Sequence, residues 1–434
     1  GEVRFYRAHL YWEMIKVYGG VPIITQVIDK DETDESLLYP KRNTTDESFT
    51  FIIKELKEAA DLLPVTYSGD NWGRITKGAA LARIQLYRAS PMFNPSNEKK
   101  YWEDAYDTYK DVIGLDVYDL HPTFSDIWKE KGENNKEIIW FKDYKKGTIT
   151  HGWDAGNMMR SQAVGDATAN CPVQELVDAF PMKDGTPYVK SNPETNPYDY
   201  RDPRLRETVV WNGDTYGPRK EKVYTFVSES TDPNSPMYNF DGIDSHQSAT
   251  STGYYMRKMK DESLDGTKGD YGYGKGSYTQ WVELRYAEVL LGLAEAANEI
   301  GETEEGVEQI KLIRKRAGIL PGENKRYGIP ENISVDDFRT LVQNERYIEL
   351  AFEDKRYWDL RRWKLAHLKL NNQLTAMEIR KKINGEEISY TYTRRVQRHD
   401  KTNKPVFLEK FYFLPLPKEE LLRNPNLEQN EEWK

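Results

Sequence analysis

Two carboxylates one helical turn apart, Glu349 and Glu353, are the residues of this sequence best placed for acid–base work. Hydrolysis of a glycosidic bond uses such a pair, one protonated as the acid and one ionised. Each carboxylate, however, has an arginine three residues away: Arg346 for Glu349 and Arg356 for Glu353. Asp359 and Arg362 repeat the spacing. Side chains three or four apart meet along a helix, and a neighbouring guanidinium favours the ionised carboxylate. The pattern opposes a raised-pKa acid and predicts a neutralised, semi-buried network that braces adjacent helices. Other reactive patterns are missing. No Gly-x-Ser-x-Gly, His-Glu-x-x-His, Walker or Cys-x-x-Cys sequence occurs, and no histidine lies four residues from another. Gly272, Gly274 and Gly276 are interleaved with Tyr271, Tyr273 and Tyr278 and follow no buried strand, so they read as a loop and not a phosphate cradle.

The bulk composition narrows the field further. The net charge of −9 opposes binding to nucleic acid or anionic lipid. A single cysteine, Cys171, excludes an internal disulfide framework and a cysteine-based zinc site. No apolar run approaches the length of a membrane span, and no signal peptide is visible. Tyr (29) and Trp (11) are plentiful, and both pair an apolar face with a polar handle, as half-wet binding surfaces require.

The elements that would position these groups are mostly helices. Phe5, Ala8, Tyr11, Trp12 and Ile15 form a stripe over 2–18, closed by Gly19-Gly20. A second helix starts at Asp46 and ends at Pro64, a third runs from Thr76 to Tyr87, and a fourth carries Trp102 to Val112. Residues 285–318 form a helix pair 34 residues long, the tetratricopeptide period. Ser334 and Asp337 look like a capping pair opening a helix to Phe352, with Tyr357–Leu368 as the next. Trp102, Trp281, Trp358 and Trp363 fall in helical patterns and read as core. A short helix spans Pro172–Phe180. After a polar linker, Ile388, Tyr390 and Tyr392, with Phe407, Phe411 and Phe413, read as a hairpin, with Arg394, Arg395 and Arg398 at a solvated tip. The expected fold is mainly α: one domain of tetratricopeptide-like helix pairs in a right-handed superhelical scaffold, over about 2–113 and 277–370. A long irregular aromatic-rich insertion, about 114–276, and a small C-terminal β hairpin with tail, 385–434, complete it.

Five or six ordered blocks carry a family resemblance. They include Tyr18-Gly-Gly-Val-Pro22, the run Glu345-Arg-Tyr-Ile-Glu-Leu-Ala-Phe-Glu353 followed by Arg356-Tyr-Trp-Asp-Leu-Arg-Arg-Trp363, and the closing Asn424-Pro-Asn-Leu-Glu-Gln-Asn430. These resemble the SusD/RagB family of surface glycan-binding lipoproteins. The segment around Cys171-Pro-Val-Gln174 departs from the usual Asn-Pro-Thr-Gln, and Asp354 stands where relatives often have Gly at a left-handed break. The resemblance implies a non-enzymatic protein that captures oligosaccharides at the cell surface. It would deliver them to a SusC-like TonB-dependent transporter in the outer membrane, with no cofactor and no metal. The family's signal and lipid-accepting cysteine lie upstream of Gly1, so their absence implies a trimmed chain and not a cytoplasmic protein. The repeats would dock the transporter, while the irregular region would hold the glycan.

A sugar ring needs an exposed aromatic platform with polar neighbours. Four stretches supply one: Asn71-Trp72-Gly-Arg74, Phe93-Asn94, His151-Gly-Trp153-Asp154 and Tyr254-Tyr255. Trp211-Asn212 and Tyr271/Tyr273 are weaker versions. Trp72 and Trp153 are expected to stack on the sugar, with Asn71, Arg74 and Asn94 as hydrogen-bonding partners. The alternatives are a tetratricopeptide-type protein that grips a protein or peptide, and a glycoside hydrolase, which the paired charges disfavour.

Overall fold

The computed structural model describes residues 1–29, 31, 34–66, 75–132, 135–162, 168–190, 196–246, 248–270, 276–397 and 406–434. Asn71, Trp72 and Arg74, the glycines Gly272 and Gly274 with Tyr271 and Tyr273, and Arg398 lie outside the described residues. The chain is mainly helical and forms two compact units. One comprises Gly1–Val117, Tyr357–Asn371 and Val406–Lys434; the other comprises Tyr118–Arg356 and Asn372–Pro405.

In the first unit the predicted stripe buries Phe5, Ala8, Tyr11, Trp12 and Ile15 on the helix Glu2–Tyr18. That face packs against the helix Thr45–Ala60 in antiparallel fashion: Trp12 meets Phe49 at 6.1 Å, while Arg4 pairs with Glu55 at 2.7 Å. A Cβ on Gly20 would lie 1.9 Å from the Asn43 carbonyl, so only glycine lets the chain pass here. The second helix begins under a capping box. The Glu47 N–H donates to Thr44 Oγ (3.1 Å) and the Thr44 N–H donates to Glu47 Oε2 (2.8 Å). Thr44→Ala is expected to cost about 1 kcal/mol in chemical denaturation, because the Glu47 N–H loses its acceptor. A cost within error of zero would show that the helix start is held by packing alone.

The expected continuous helix from Thr76 to Tyr87 is instead two, Lys77–Leu81 and Ile84–Ala89, broken where Arg83 takes a φ of 86°. Ala79, Ala80, Ala82, Ile84, Leu86 and Tyr87 are all buried. One straight helix would spread them around more than half its circumference, so the break re-aims the second half toward the core. The helix expected over Tyr357–Leu368 is likewise split into Arg356–Arg362 and Ala366–Lys369, with Lys364 at a φ of 59°.

In the second unit the pair predicted at 285–318 is the helices Tyr286–Ile300 and Thr303–Ala317, joined by Gly301 in the left-handed region at φ 95°. The helix Val335–Glu349 packs on the same frame, and Ser334 caps it by accepting the Asp337 N–H at 3.1 Å. It stops at Glu349, three residues short of the expected Phe352. Both Phe352 (φ 64°) and Asp354 (φ 58°) then adopt left-handed backbone, so the aspartate does take the left-handed conformation expected at this break.

Among the described residues, the irregular region forms short helices, including Gln174–Ala179 and Pro203–Thr208, and short strand pairs around a core of Val177, Phe180, Leu205, Phe226, Tyr254 and Ile348. The hairpin differs from expectation in its partner. Glu387–Val396 pairs over its whole length with Thr375–Asn384, from Thr375↔Val396 to Asn384↔Glu387. Lys381, Lys382 and Arg380 made that first strand read as a linker, yet Ala376, Met377 and Ile379 are buried. Phe407, Phe411 and Phe413 belong to the first unit, around the turn Glu409–Tyr412. Arg394 and Arg395 lie at the open end of the hairpin, not its tip, and pair with Asp178 (2.6 Å) and with Asp244.

Candidate functional site

Of the residues expected to meet a sugar, Asn94 is buried and fully used by its own loop. Its Nδ2 donates to the Ala89 and Glu98 carbonyls (3.1 Å each), and its Oδ1 accepts the Glu98 N–H (2.8 Å). Phe93 packs edge-to-face on Phe49, with ring centres 5.0 Å apart. Both residues close the helix–helix turn of the first unit. Tyr254 and Tyr255 are also corrected: their rings are buried (0% and 1% exposed) and present no face to solvent. The Tyr254 hydroxyl donates to Gln174 Oε1 (2.7 Å), and the Tyr255 hydroxyl donates to the Asp241 carbonyl (3.0 Å). A turn-rich flank suggested exposure, but the pairing of Tyr255 with Val210 draws both rings inward. Trp211 stacks on Tyr198 at 5.0 Å and 16°, half-buried over the core, and Asn212 is spent on the Thr225 N–H (2.9 Å).

Trp153 is different. In the second unit, the strand Ile138–Lys142 pairs with Trp281–Arg285 so that Lys142 lies opposite Trp281. A turn closed by Lys145↔Ile149 and a bridge His151↔Ser277 bring the following loop back beside it. Trp153, at the start of the short helix Trp153–Gly156, meets Trp281 edge-to-face at 5.3 Å and 82°. His151 meets Tyr144 in the same manner at 4.5 Å. It accepts the Trp153 N–H at Nδ1 (3.3 Å) and bonds the Thr279 carbonyl through Nε2 (2.9 Å), so its ring is locked. Tyr278 completes the group. All five rings are half-buried. The Trp153 indole nitrogen is buried without a hydrogen-bond partner among the described residues.

Asp154 lies beneath this surface and not on it. It is 0% exposed, and its Oδ1 accepts the Asp261 N–H at 2.7 Å. Burial pushes its carboxyl up, with nearby Lys260 pulling the other way. Lys260 is pushed down to about 8 by burial, with Asp154 opposing, and donates to the Asn157 carbonyl at 2.8 Å. These two groups tie the Trp153 helix to the 256–261 loop. Trp281 was expected in the core of a helix. It sits instead on a strand whose Val282 and Leu284 point inward while Trp281 and Glu283 stay half-buried. That alternation of period two was the signal available in the sequence. Tyr144 and Tyr278 carried no such signal.

The carboxylates Glu349 and Glu353 are neutralised, as their setting predicted, but by partners far along the chain. Arg204 holds Glu349 (2.7 Å), Glu345 (2.6 Å) and Asp202 (2.7 Å). Arg285 holds Glu137 (2.6 Å), Glu349 (2.7 Å) and Glu353 (2.8 Å). Lys258 meets Glu353 (2.6 Å), Arg314 meets Glu345 (2.9 Å), and Arg316 joins Glu137 (2.9 Å) and Glu349. The five acids and five bases balance, and nearly all are buried. Burial pushes the Glu349 carboxyl up, but Arg316, Arg285, Arg204 and Lys258 outweigh it and hold it well below the carboxylate range. Glu345 and Glu353 are lowered for the same reasons. Asp359 does take the helix-local partner, Arg362, at 2.8 Å. The network acts as a brace.

A helical frame of tetratricopeptide-like pairs, carrying half-buried aromatic rings on an irregular segment, defines a repeat-scaffold protein. Residues 136–433 match the SusD family, and residues 1–87 match a family described as starch-binding associating with outer membrane. The chain belongs to the SusD family. It is 26% identical to SusD-like protein P2 of Formosa agariphila, over 98% of this chain and 72% of that protein. A solved SusD-like protein from Bacteroides fragilis is 27% identical, with 99% of this chain and 78% of that one covered and a TM-score of 0.70. A SusD-like carbohydrate binding protein of the same species, 24% identical, superposes over 98% of this chain and 79% of its own with a TM-score of 0.75, which shows the shared fold. Against two further Formosa agariphila relatives, the chain spans only 63% and 65% of their length.

Proposed function

We propose that this protein captures glycans at the outer membrane on the aromatic surface of Trp153, Trp281, Tyr144, His151 and Tyr278, and passes them to a SusC-like TonB-dependent transporter. The observation that carries the reading is the Trp153–Trp281 pair at 5.3 Å, held half-exposed by locked loops in a SusD-family chain. A pyranose ring presents C–H groups on one face and hydroxyls at its edge, and such a surface meets the face. The lowered pKa values of Glu349 and Glu353 remove that pair as the acid and base of a hydrolase. The description of the family matched by residues 1–87 supports the outer-membrane setting. A lipid anchor, and a separate sugar contact by Trp72 with Asn71 and Arg74, belong to the same proposal.

Affinity is expected in the millimolar to micromolar range, which needs roughly 4–8 kcal/mol. That suits a protein that must release its ligand onward. A glycan array followed by calorimetry checks this: saturable heat with at least one polysaccharide is the expected result. Silence across the array, together with clear peptide binding, would replace this reading with peptide capture.

A further inference from the structure

The rings of the proposed glycan surface are fringed by lysines, in a protein whose net charge is −9. Lys142 Nζ lies 5.1 Å from the Tyr144 ring centre, and Lys131 and Lys146 each lie 5.8 Å from that of Tyr278. Lys142, Lys145 and Lys146 are exposed. The carboxylates nearby are already engaged. Asp143 is held by Lys131 at 2.8 Å, Glu283 faces Lys355 at 3.3 Å, and Asp154 lies buried beneath. No ion pair joins Lys142, Lys145 or Lys146 to a carboxylate among the described residues.

A neutral sugar needs hydroxyl partners and gains little from the ammonium groups of Lys142 and Lys146, which lie over the Tyr144 and Tyr278 rings. An anionic sugar gains much. Its C–H face can lie on tryptophan or tyrosine while a carboxylate or sulfate ester, projecting from the ring edge, reaches an ammonium. The bulk charge of the protein would repel such a polymer, so cations concentrated at one aromatic surface set where it can land. A lysine ammonium on its flexible stem acts as a point charge that can meet either a carboxylate or a sulfate.

We infer that the glycan taken on the Trp153–Trp281 surface is anionic, bearing uronate carboxylates or sulfate esters that meet Lys142 and Lys146. The inference rests on the glycan-capture reading and narrows its ligand class.

The test titrates the purified protein with polygalacturonate and chondroitin sulfate as anionic probes, and with laminarin and soluble starch as neutral ones. At least one anionic probe is expected to bind at least tenfold tighter than either neutral one. Raising NaCl from about 50 mM to about 500 mM should weaken that binding about tenfold, because the screening length shrinks to a few ångströms. The double variant Lys142→Glu/Lys146→Glu should weaken it by tenfold or more, and Trp153→Ala should do so independently. Tight binding to starch or laminarin that ignores both salt and the lysine changes overturns the inference and leaves glycan capture standing. Anionic binding that survives Trp153→Ala unchanged overturns the placement, since charge alone would then explain it. A folded protein that binds none of the four probes, and no other polysaccharide on an array, overturns glycan capture itself.

Discussion

Replacing Glu349 by glutamine is expected to destabilise the second unit by about 3–5 kcal/mol, the cost of breaking a buried ion cluster from one side. Glu349 is fully buried and faces Arg204, Arg285 and Arg316 at once. Its loss leaves five buried cations facing four anions, and the new amide directs N–H groups toward guanidiniums that can only donate. Because the chain has two compact units, denaturation should be followed with probes that report each, and the loss should appear in the transition of Tyr118–Arg356. Glu58→Gln is the control. Glu58 also pairs with an arginine, Arg4 at 2.6 Å, but both side chains are over a third exposed, so little change is expected. Equal effects from the two variants would refute the assignment of Glu349 as a brace.

The same cluster sets the pH response. Glu345, Glu349 and Glu353 have folded pKa values below their ordinary ones, so their stabilisation is present above about pH 4.5. It is lost as the pH falls through the folded values, and Glu349→Gln should flatten that acid limb. Lys258 works on the other side of neutrality. Burial lowers its folded pKa to about 8, against the pull of Glu353, so its unfavourable contribution fades as the pH rises from about 8 toward 10.5.

The second large effect is on binding. Trp153→Ala and Trp281→Ala are each expected to weaken glycan affinity at least tenfold, about 1.4 kcal/mol, and the double variant should bring it below detection. The two rings meet edge-to-face, so either truncation also loosens the survivor. The variants should keep the wild-type helical spectrum, because both side chains are half-buried and neither anchors a helix. Tyr255→Phe serves as the contrasting change: its ring is 1% exposed, so affinity should not move. Wild-type affinity in both tryptophan variants would place the ligand elsewhere on the protein.

Much of the helical frame was legible from spacing. Phe5 to Ile15 formed the expected stripe, Ser334 capped the expected helix, and 285–318 gave the expected pair with Gly301 between. Local physics controls these features, since a helix closes its own hydrogen bonds and its buried face repeats every three or four residues. The hairpin was half legible. Tyr390 and Tyr392 alternate visibly, but the partner strand is disguised by lysines on its outward positions, and strand pairing is chosen between segments and not within one.

Site residues divide in the same way. Trp153 was named from an aromatic beside polar residues, and its ring is half-buried against Trp281. Tyr254 and Tyr255 had the same local signature and are buried, because one strand pairing turns them inward. Composition cannot separate these cases: exposure depends on what packs above a residue, which the residue's neighbours in sequence do not encode.

By itself, the sequence determined the helical class and the family, which are written in local periodicity and in ordered motifs; it foresaw the direction in which Glu349 and Glu353 shift, but not the partners that cause it. Tertiary structure alone decided that Arg204, Arg285 and Arg316 supply the counter-charges, and that Trp281, Tyr144 and Tyr278 join Trp153. Those groups are brought together by long-range closure, which short-range periodicity does not record.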